Sequence, residues 1–322
     1  MKLDETRGKS RGRIFLLKAL VSLSLLAFLF WRTDIDGFIN TIKGAKLPLL
    51  LFCLLLYVLS QLISTLRWQC LLNAEEFHVP FTRLVLFYFE GMFFNLFLPT
   101  LIGGDVVRGY NLYRYTRKGG ESLASILVDR LSGLMAMMAI ALLALLIGYP
   151  YLHEPLVAYL ILIIAGGMGL GIFGLANRWL KDTLLSFVGK TGLNNFRERI
   201  GRTYEAIHRY REHRKAIGQA LTLSLVLQTL GIFIFYLISR ALGLSVALPY
   251  FFLFVPLIHV FSMIPISLSG LGVREGITVF LFAKAGVSSS GALGLSLAWF
   301  SIVALASLPG GMVFLTERSR PG

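Results

Sequence analysis

Four stretches of the chain are apolar on every side and carry no charge: Leu47–Leu66, Pro155–Ala176, Ala216–Ser239 and Gly291–Leu315. A membrane-crossing helix needs about 20 such residues, and a helix apolar all round has no face to give to water. Each is therefore predicted to span a bilayer. Ile14–Trp31 is a fifth predicted span, with Lys18 near enough to its basic end to snorkel. Ser122–Gly148 is a sixth, and it carries Asp129 and Arg130 inside the apolar run.

Two further apolar stretches do not read as plain spans. Leu84–Ile102 contains Glu90, Gly91, Asn95 and Pro99 and runs into Gly103, Gly104 and Asp105. Leu248–Gly286 contains Pro249, Pro256, Pro265 and the run Ser267, Leu268, Ser269, Gly270, Leu271, Gly272. Proline removes a donor from the helix ladder and glycine removes steric restraint. In hydrocarbon the freed backbone groups need cover from protein or a water-filled cavity. The pattern predicts two broken or re-entrant helical hairpins, over 84–107 and 248–286. The expected fold is thus all-α and polytopic, with about six full transmembrane helices, as one integral membrane domain over 1–322.

Composition reinforces this picture. The mean hydropathy is +0.73 and 15% of residues are charged, where soluble domains carry about 25%. A soluble enzyme, a secreted disulfide scaffold and a disordered tail are excluded. The charge of +14, from 31 Lys+Arg and 17 Asp+Glu, then sets orientation. Basic residues cluster in 1–13, in Arg108–Lys118 and in 177–215, where ten Lys/Arg face four Asp/Glu. The positive-inside rule puts all three in the cytoplasm. That requires the first broken stretch to enter and leave on one face, the short loop 149–154 to lie outside, and both termini to lie inside. The N-terminus superficially resembles a signal peptide, but 14–31 is long and lacks a small-residue cleavage pattern, so it reads as a retained span in the inner membrane. The loop 177–215 is read as solvated and topogenic.

Catalytic and metal signatures are sparse. Cys53 and Cys70 form no CxxC, no histidine pair has H-E-x-x-H spacing, and no Walker motif occurs. The sequence predicts no cofactor, no metal and no nucleic-acid partner, and it is read as a non-enzyme. The charged and glycine-rich breaks hold the candidate chemistry. Gly103 and Gly104 permit a tight turn, after which a helix start near Asp105 could offer N–H groups to an anion, with Arg108 one turn on. The alternative is a turn capped by Asp105, with Arg108 a topological anchor. Arg274 and Glu275 close the second break, either as a phosphate-gripping arginine with its charge partner or as a pair stabilising a helix end. Asp129 could exchange with Arg108 or orient its own helix, and at least one of Asp129 and Arg130 needs a partner elsewhere, since helix neighbours do not face each other. Glu90 would be protonated or paired across helices. Arg67 and Trp68 end the second span and read as an interfacial anchor, and Gly167 and Gly171 as a helix-packing face. Pro99 and Pro265 are each followed by glycine at +5 (Gly104, Gly270) and arginine at +9 (Arg108, Arg274). An inverted repeat is one reading of that match, chance in a glycine-rich chain the other.

Arg67-Trp68 with Leu71-Leu72, the run from Phe94 and Asn95 through Pro99, Gly103, Gly104, Asp105 and Arg108, and Asp129-Arg130-Leu131-x-Gly133 form a set with Gly270-Leu-Gly272-x-Arg274-Glu275-Gly276 and Leu308-Pro309-Gly310-Gly311. This set, over about 60–315, resembles the flippase-like family, the transmembrane region of lysylphosphatidylglycerol synthases. The resemblance implies a lipid-translocating membrane core. No aminoacyl-transferase domain fits in the 322 residues, so lipid aminoacylation does not carry over.

The reading that follows is a flippase or lipid-linked-intermediate transporter for an anionic lipid. Arg108 and Arg274 would contact phosphate. Asn95, Pro99, Gly103, Gly104, Asp105, Ser267, Ser269, Gly270, Gly272 and Glu275 would complete the binding segments, and Glu90, Asp129 and Arg130 would gate or couple. The rival readings are an integral-membrane enzyme acting on lipid-linked sugars or phosphates, and a scaffold partner of a separate lipid or glycan synthase.

Overall fold

The computed structural model describes residues 18–98, 103–148, 155–176 and 194–318. Pro99, the segment 1–13, the loop 149–154 and the first part of 177–215 lie outside the described residues. Within the described residues the chain is helical and contains no strand. We label its helices α1 (residues 18–32), α2 (Ile35–Lys43), α3 (Leu47–Ala74), α4 (Phe81–Phe97), α5 (Gly103–Thr116), α6 (Gly119–Gly148), α7 (Pro155–Ala176), α8 (Asn194–Arg209), α9 (Arg214–Ala241), α10 (Leu248–Ser262), α11 (Val273–Ala283) and α12 (Ser289–Arg318). Among the described residues, α3, α6, α7, α9 and α12 are long and apolar enough to cross a membrane. The chain is a polytopic membrane protein.

The chain gathers into two compact units: residues 1–58, 89–106 and 231–322 form unit 1, and residues 59–88 and 107–230 form unit 2. In unit 2, α6 packs on α7 and α8. Its core includes Trp68, Leu72, Leu84, Phe87 and Leu112, with Leu71, Ala124, Ala206 and Tyr210 forming a second cluster. In unit 1, α12 packs on α2 and α11, and α11 on α10. Phe235, Phe251, Phe254, Phe282 and Trp299 interlock as edge-on, tilted and stacked rings there.

Both broken stretches fold back on themselves. Gly104 of α5 lies against the Gly91 carbonyl and the Asn95 side chain of α4. Further down the same pair of helices, the Arg108 guanidinium covers the Tyr88 ring at 4.1 Å and Phe87 meets Tyr115 at 6.4 Å. The helices therefore run antiparallel. In the second stretch Ser262 touches Gly270 while Phe251 and Phe254 meet Phe282, so α10 and α11 are antiparallel too. Pro249 sits in the first turn of α10, where its missing N–H costs nothing. Pro256 lies inside α10, and the chain breaks only after Ser262.

Three elements depart from the sequence reading. Helix α3 continues to Ala74, past the expected end at Leu66, because Arg67 finds buried partners described below. The expected solvated loop 177–215 contains α8, whose Thr203, Tyr204 and Ala206 are buried, followed by the buried Tyr210. Its apolar positions recur at helical spacing within a charge-dominated composition. Helix α2 was not anticipated, being too short and too polar to register as a span.

Candidate functional site

In unit 2 a buried polar cluster forms where α3, α5, α6 and α9 contribute side chains. The Arg67 Nε donates to Asp129 Oδ1 at 2.7 Å, and its Nη1 donates to Ser224 Oγ at 2.9 Å. Ser224 in turn donates to Ser132 Oγ at 3.2 Å, and Ser132 donates to the Asp129 carbonyl at 2.8 Å. From the other side Arg108 Nη2 donates to Asp129 Oδ2 at 3.3 Å. The Arg108 guanidinium also lies over the rings of Trp68, at 4.3 Å, and Tyr88, at 4.1 Å. Arg67, Arg108 and Asp129 are 7%, 5% and 1% exposed, so this is an interior network rather than a surface pair. Gly133, one turn after Asp129, leaves room for Arg67: a Cβ there would lie 3.3 Å from Nη1.

The sequence placed Arg67 at an interface. That is corrected: Arg67 is the closer of the two cations on Asp129, and Trp68 beside it is wholly buried, with Nε1 donating to Ser125 Oγ at 3.2 Å. Their partners lie 62 and 57 residues away, beyond any local pattern. Arg130 is partly buried on the same helix. Elsewhere in unit 2, Arg209 donates twice to Glu75 Oε2, at 3.1 and 3.0 Å. The hydrogen bond to Glu75 raises its basicity further, and burial raises the Tyr210 phenol well above its ordinary value.

Unit 1 holds both breaks, within 89–106 and within 231–322. At the first, the Gly104 N–H donates to Asn95 Oδ1 at 2.6 Å, tying the start of α5 to α4. Gly103 and Asp105 are buried with it, and Glu90 is 3% exposed on α4. At the second, the chain turns through Ser269, Gly270 and Gly272, all with positive φ. A side chain at Gly272 would meet both a φ of +84° and the Leu25 side chain at 2.5 Å, so only glycine fits. The Ser269 hydroxyl donates to the Asn95 carbonyl at 2.5 Å, joining the two breaks directly.

Glu275 is wholly buried. Its Oε2 accepts from the Gly272 N–H at 2.6 Å, which caps the start of α11. Its Oε1 accepts from Arg274 Nε at 2.9 Å, from Arg274 Nη2, and from Ser296 Oγ at 3.2 Å. Arg274 also lies over the Phe300 ring at 4.8 Å. Ser296 and Phe300 were not anticipated, since no charge lies near them along α12. The shared proline–glycine–arginine spacing also does not give the arginines one helical position. Arg108 is the sixth residue of α5 and Arg274 the second of α11, and they belong to different units.

Charged networks inside membrane-crossing helices, with helices broken at glycine turns, define a polytopic membrane protein with ionisable groups in its interior. Among such proteins, the chain belongs to the lysylphosphatidylglycerol synthase TM region family, whose profile matches residues 15–310. Two UPF0104 membrane proteins of Methanothermobacter thermautotrophicus are similar to it. One is 24% identical over 88% of this chain and 88% of its own length, the other 25% identical over 85% and 83%. A UPF0104 membrane protein of Pyrococcus horikoshii is 26% identical over 40% of each chain.

Proposed function

We propose that this protein moves an anionic lipid, or a lipid-linked intermediate, between the leaflets of the cytoplasmic membrane, with both termini in the cytoplasm. The observation that carries the reading is the unequal sharing of Asp129. Arg67 holds the carboxylate at 2.7 Å and is itself steadied by Ser224, whereas Arg108 reaches it at 3.3 Å. Asp129 therefore keeps a counter-charge if Arg108 leaves. In this reading Arg108 exchanges its contact with the Asp129 carboxylate for a phosphate, which its planar donors bind bidentately. An ionisable residue inside a membrane helix is expensive to maintain and marks function by default. Family membership supports the lipid character of the substrate.

In unit 1, Arg274 remains the second candidate phosphate contact, and Glu275 its resting partner. Arg130, Glu90 and Asp105 are the candidate gating charges. The polar bend over Ser267, Ser269, Gly270 and Gly272, with Asn95, Gly103 and Gly104 opposite it, is the segment whose backbone would rearrange. The expected partners are membrane lipids with an anionic headgroup, and a separate lipid or glycan synthase would supply them.

Native mass spectrometry of the protein released from detergent tests the binding half of this reading. Wild-type protein is expected to retain an anionic lipid, and folded Arg108→Ala to lose most of it. Equal retention by both would refute the phosphate contact. Turnover of a lipid phosphate by the purified protein would instead favour the enzyme reading.

A further inference from the structure

The junction of the two broken segments in unit 1 carries more oxygen than a simple tether needs. The Ser269 hydroxyl oxygen lies 2.5 Å from the Asn95 carbonyl and 3.3 Å from those of both Leu96 and Leu98. A hydroxyl has a single hydrogen to donate. It can satisfy the Asn95 carbonyl, and the other two oxygens then face it without a proton from it. Asn95 and Leu96 lie in the last turn of α4 and Leu98 directly follows it, where the last C=O groups lack intrahelical partners and the helix dipole is negative. In the same bend the Ser267 hydroxyl is 1% exposed and has no hydrogen-bond partner among the described residues. Ser269 itself is held at φ +49°, a conformation that non-glycine residues rarely adopt. The strained backbone is what delivers its hydroxyl to the carbonyl cluster.

We infer that this junction binds a small monovalent cation of the sodium class. The carbonyls of Leu96 and Leu98 and the Ser269 hydroxyl oxygen are its ligands, with the Ser269 proton held on the Asn95 carbonyl, and the buried Ser267 hydroxyl of the same bend is a further oxygen. Hard cations take oxygen ligands, and an ion about 2.4 Å from each oxygen sets neighbouring ligands about 3.4 Å apart, close to the 3.3 Å spacings seen. Divalent-cation sites draw on carboxylates, and this ligand set contains none. Carbonyl and hydroxyl oxygens at a helix C-terminus match a single positive charge, the arrangement by which discontinuous membrane helices hold sodium in general. The ion would clamp the end of α4 to the bend between α10 and α11. Neither Arg108 nor Asp129 contributes, and the inference shares with the lipid reading only the bend over Ser267 and Ser269 and the end of α4 opposite it.

Thermal unfolding of the full chain in detergent tests it, in sodium, potassium and choline chloride at constant ionic strength. A ligand that binds only the folded state raises Tm in a saturable way. Sodium is expected to raise Tm by a few degrees over choline. Ser269→Gly suits the positive φ and removes the hydroxyl, so it should keep its helical circular dichroism and lose the sodium-specific shift. Ser267→Ala should need a higher sodium concentration for the same shift. Identical wild-type Tm values in sodium and choline overturn the inference whether or not a variant folds. So does an undiminished sodium shift in folded Ser269→Gly.

Discussion

Asp129 shows how much one carboxylate can organise. Removing one member of a buried ion pair leaves its partner's charge uncompensated, at about 3–5 kcal/mol. Arg67→Ala should approach that cost in chemical denaturation, because the shorter contact and the Ser224 bond go together and only the 3.3 Å contact to Arg108 remains. Arg108→Ala should cost distinctly less, since Asp129 keeps Arg67. Ser224→Ala should cost about 0.5–1.5 kcal/mol, the range for a single hydrogen bond. Equal costs for the two arginines would contradict the unequal sharing. The sequence made Asp129, Arg108 and Glu275 legible because charge inside an apolar run is conspicuous. Arg67 was not legible: a charge at the end of an apolar run looks interfacial until its partner on another helix is seen.

At the scale of elements, the two hairpins were readable from proline and glycine, while α8 was hidden by its charge and α2 by its shortness. The close approach of α4 and α5 is a physical requirement for glycine. A Cβ at Gly104 would overlap the Gly91 carbonyl, so Gly104→Ala should destabilise by about 1–3 kcal/mol, the usual cost of overpacking. A Cβ added at Gly167 or Gly171 of α7, both expected to pack another helix, would meet nothing within 4 Å beyond its own helix among the described residues. Gly167→Ala should therefore leave stability unchanged or raise it by up to about 1 kcal/mol through helix propensity. Paired unfolding curves of the two variants check both statements. Glu275→Gln keeps the shape but removes the charge that holds Arg274 and caps α11, so it should destabilise while Ser296→Ala does so only mildly.

For the whole molecule, composition identified a polytopic membrane protein, and loop charge predicted its orientation. The division into two units was invisible, because each is assembled from separated segments of a uniformly apolar chain. Orientation is testable in intact cells, with Cys53 and Cys70 replaced and single cysteines introduced at Asp36 and His213. A membrane-impermeant maleimide should label position 36 directly and position 213 only after permeabilisation, and the opposite pattern would invert the topology. Transport is tested most directly by reconstitution into vesicles containing fluorescent anionic and zwitterionic lipids, with leaflet exchange followed by dithionite quenching. Wild-type protein is predicted to speed exchange of the anionic lipid preferentially, and folded Arg108→Ala to lose at least about tenfold of that rate, equivalent to roughly 1.4 kcal/mol of lost stabilisation. Undiminished exchange by folded Arg108→Ala, or no preference for the anionic lipid by the wild type, would contradict the exchange of Asp129 for a lipid phosphate.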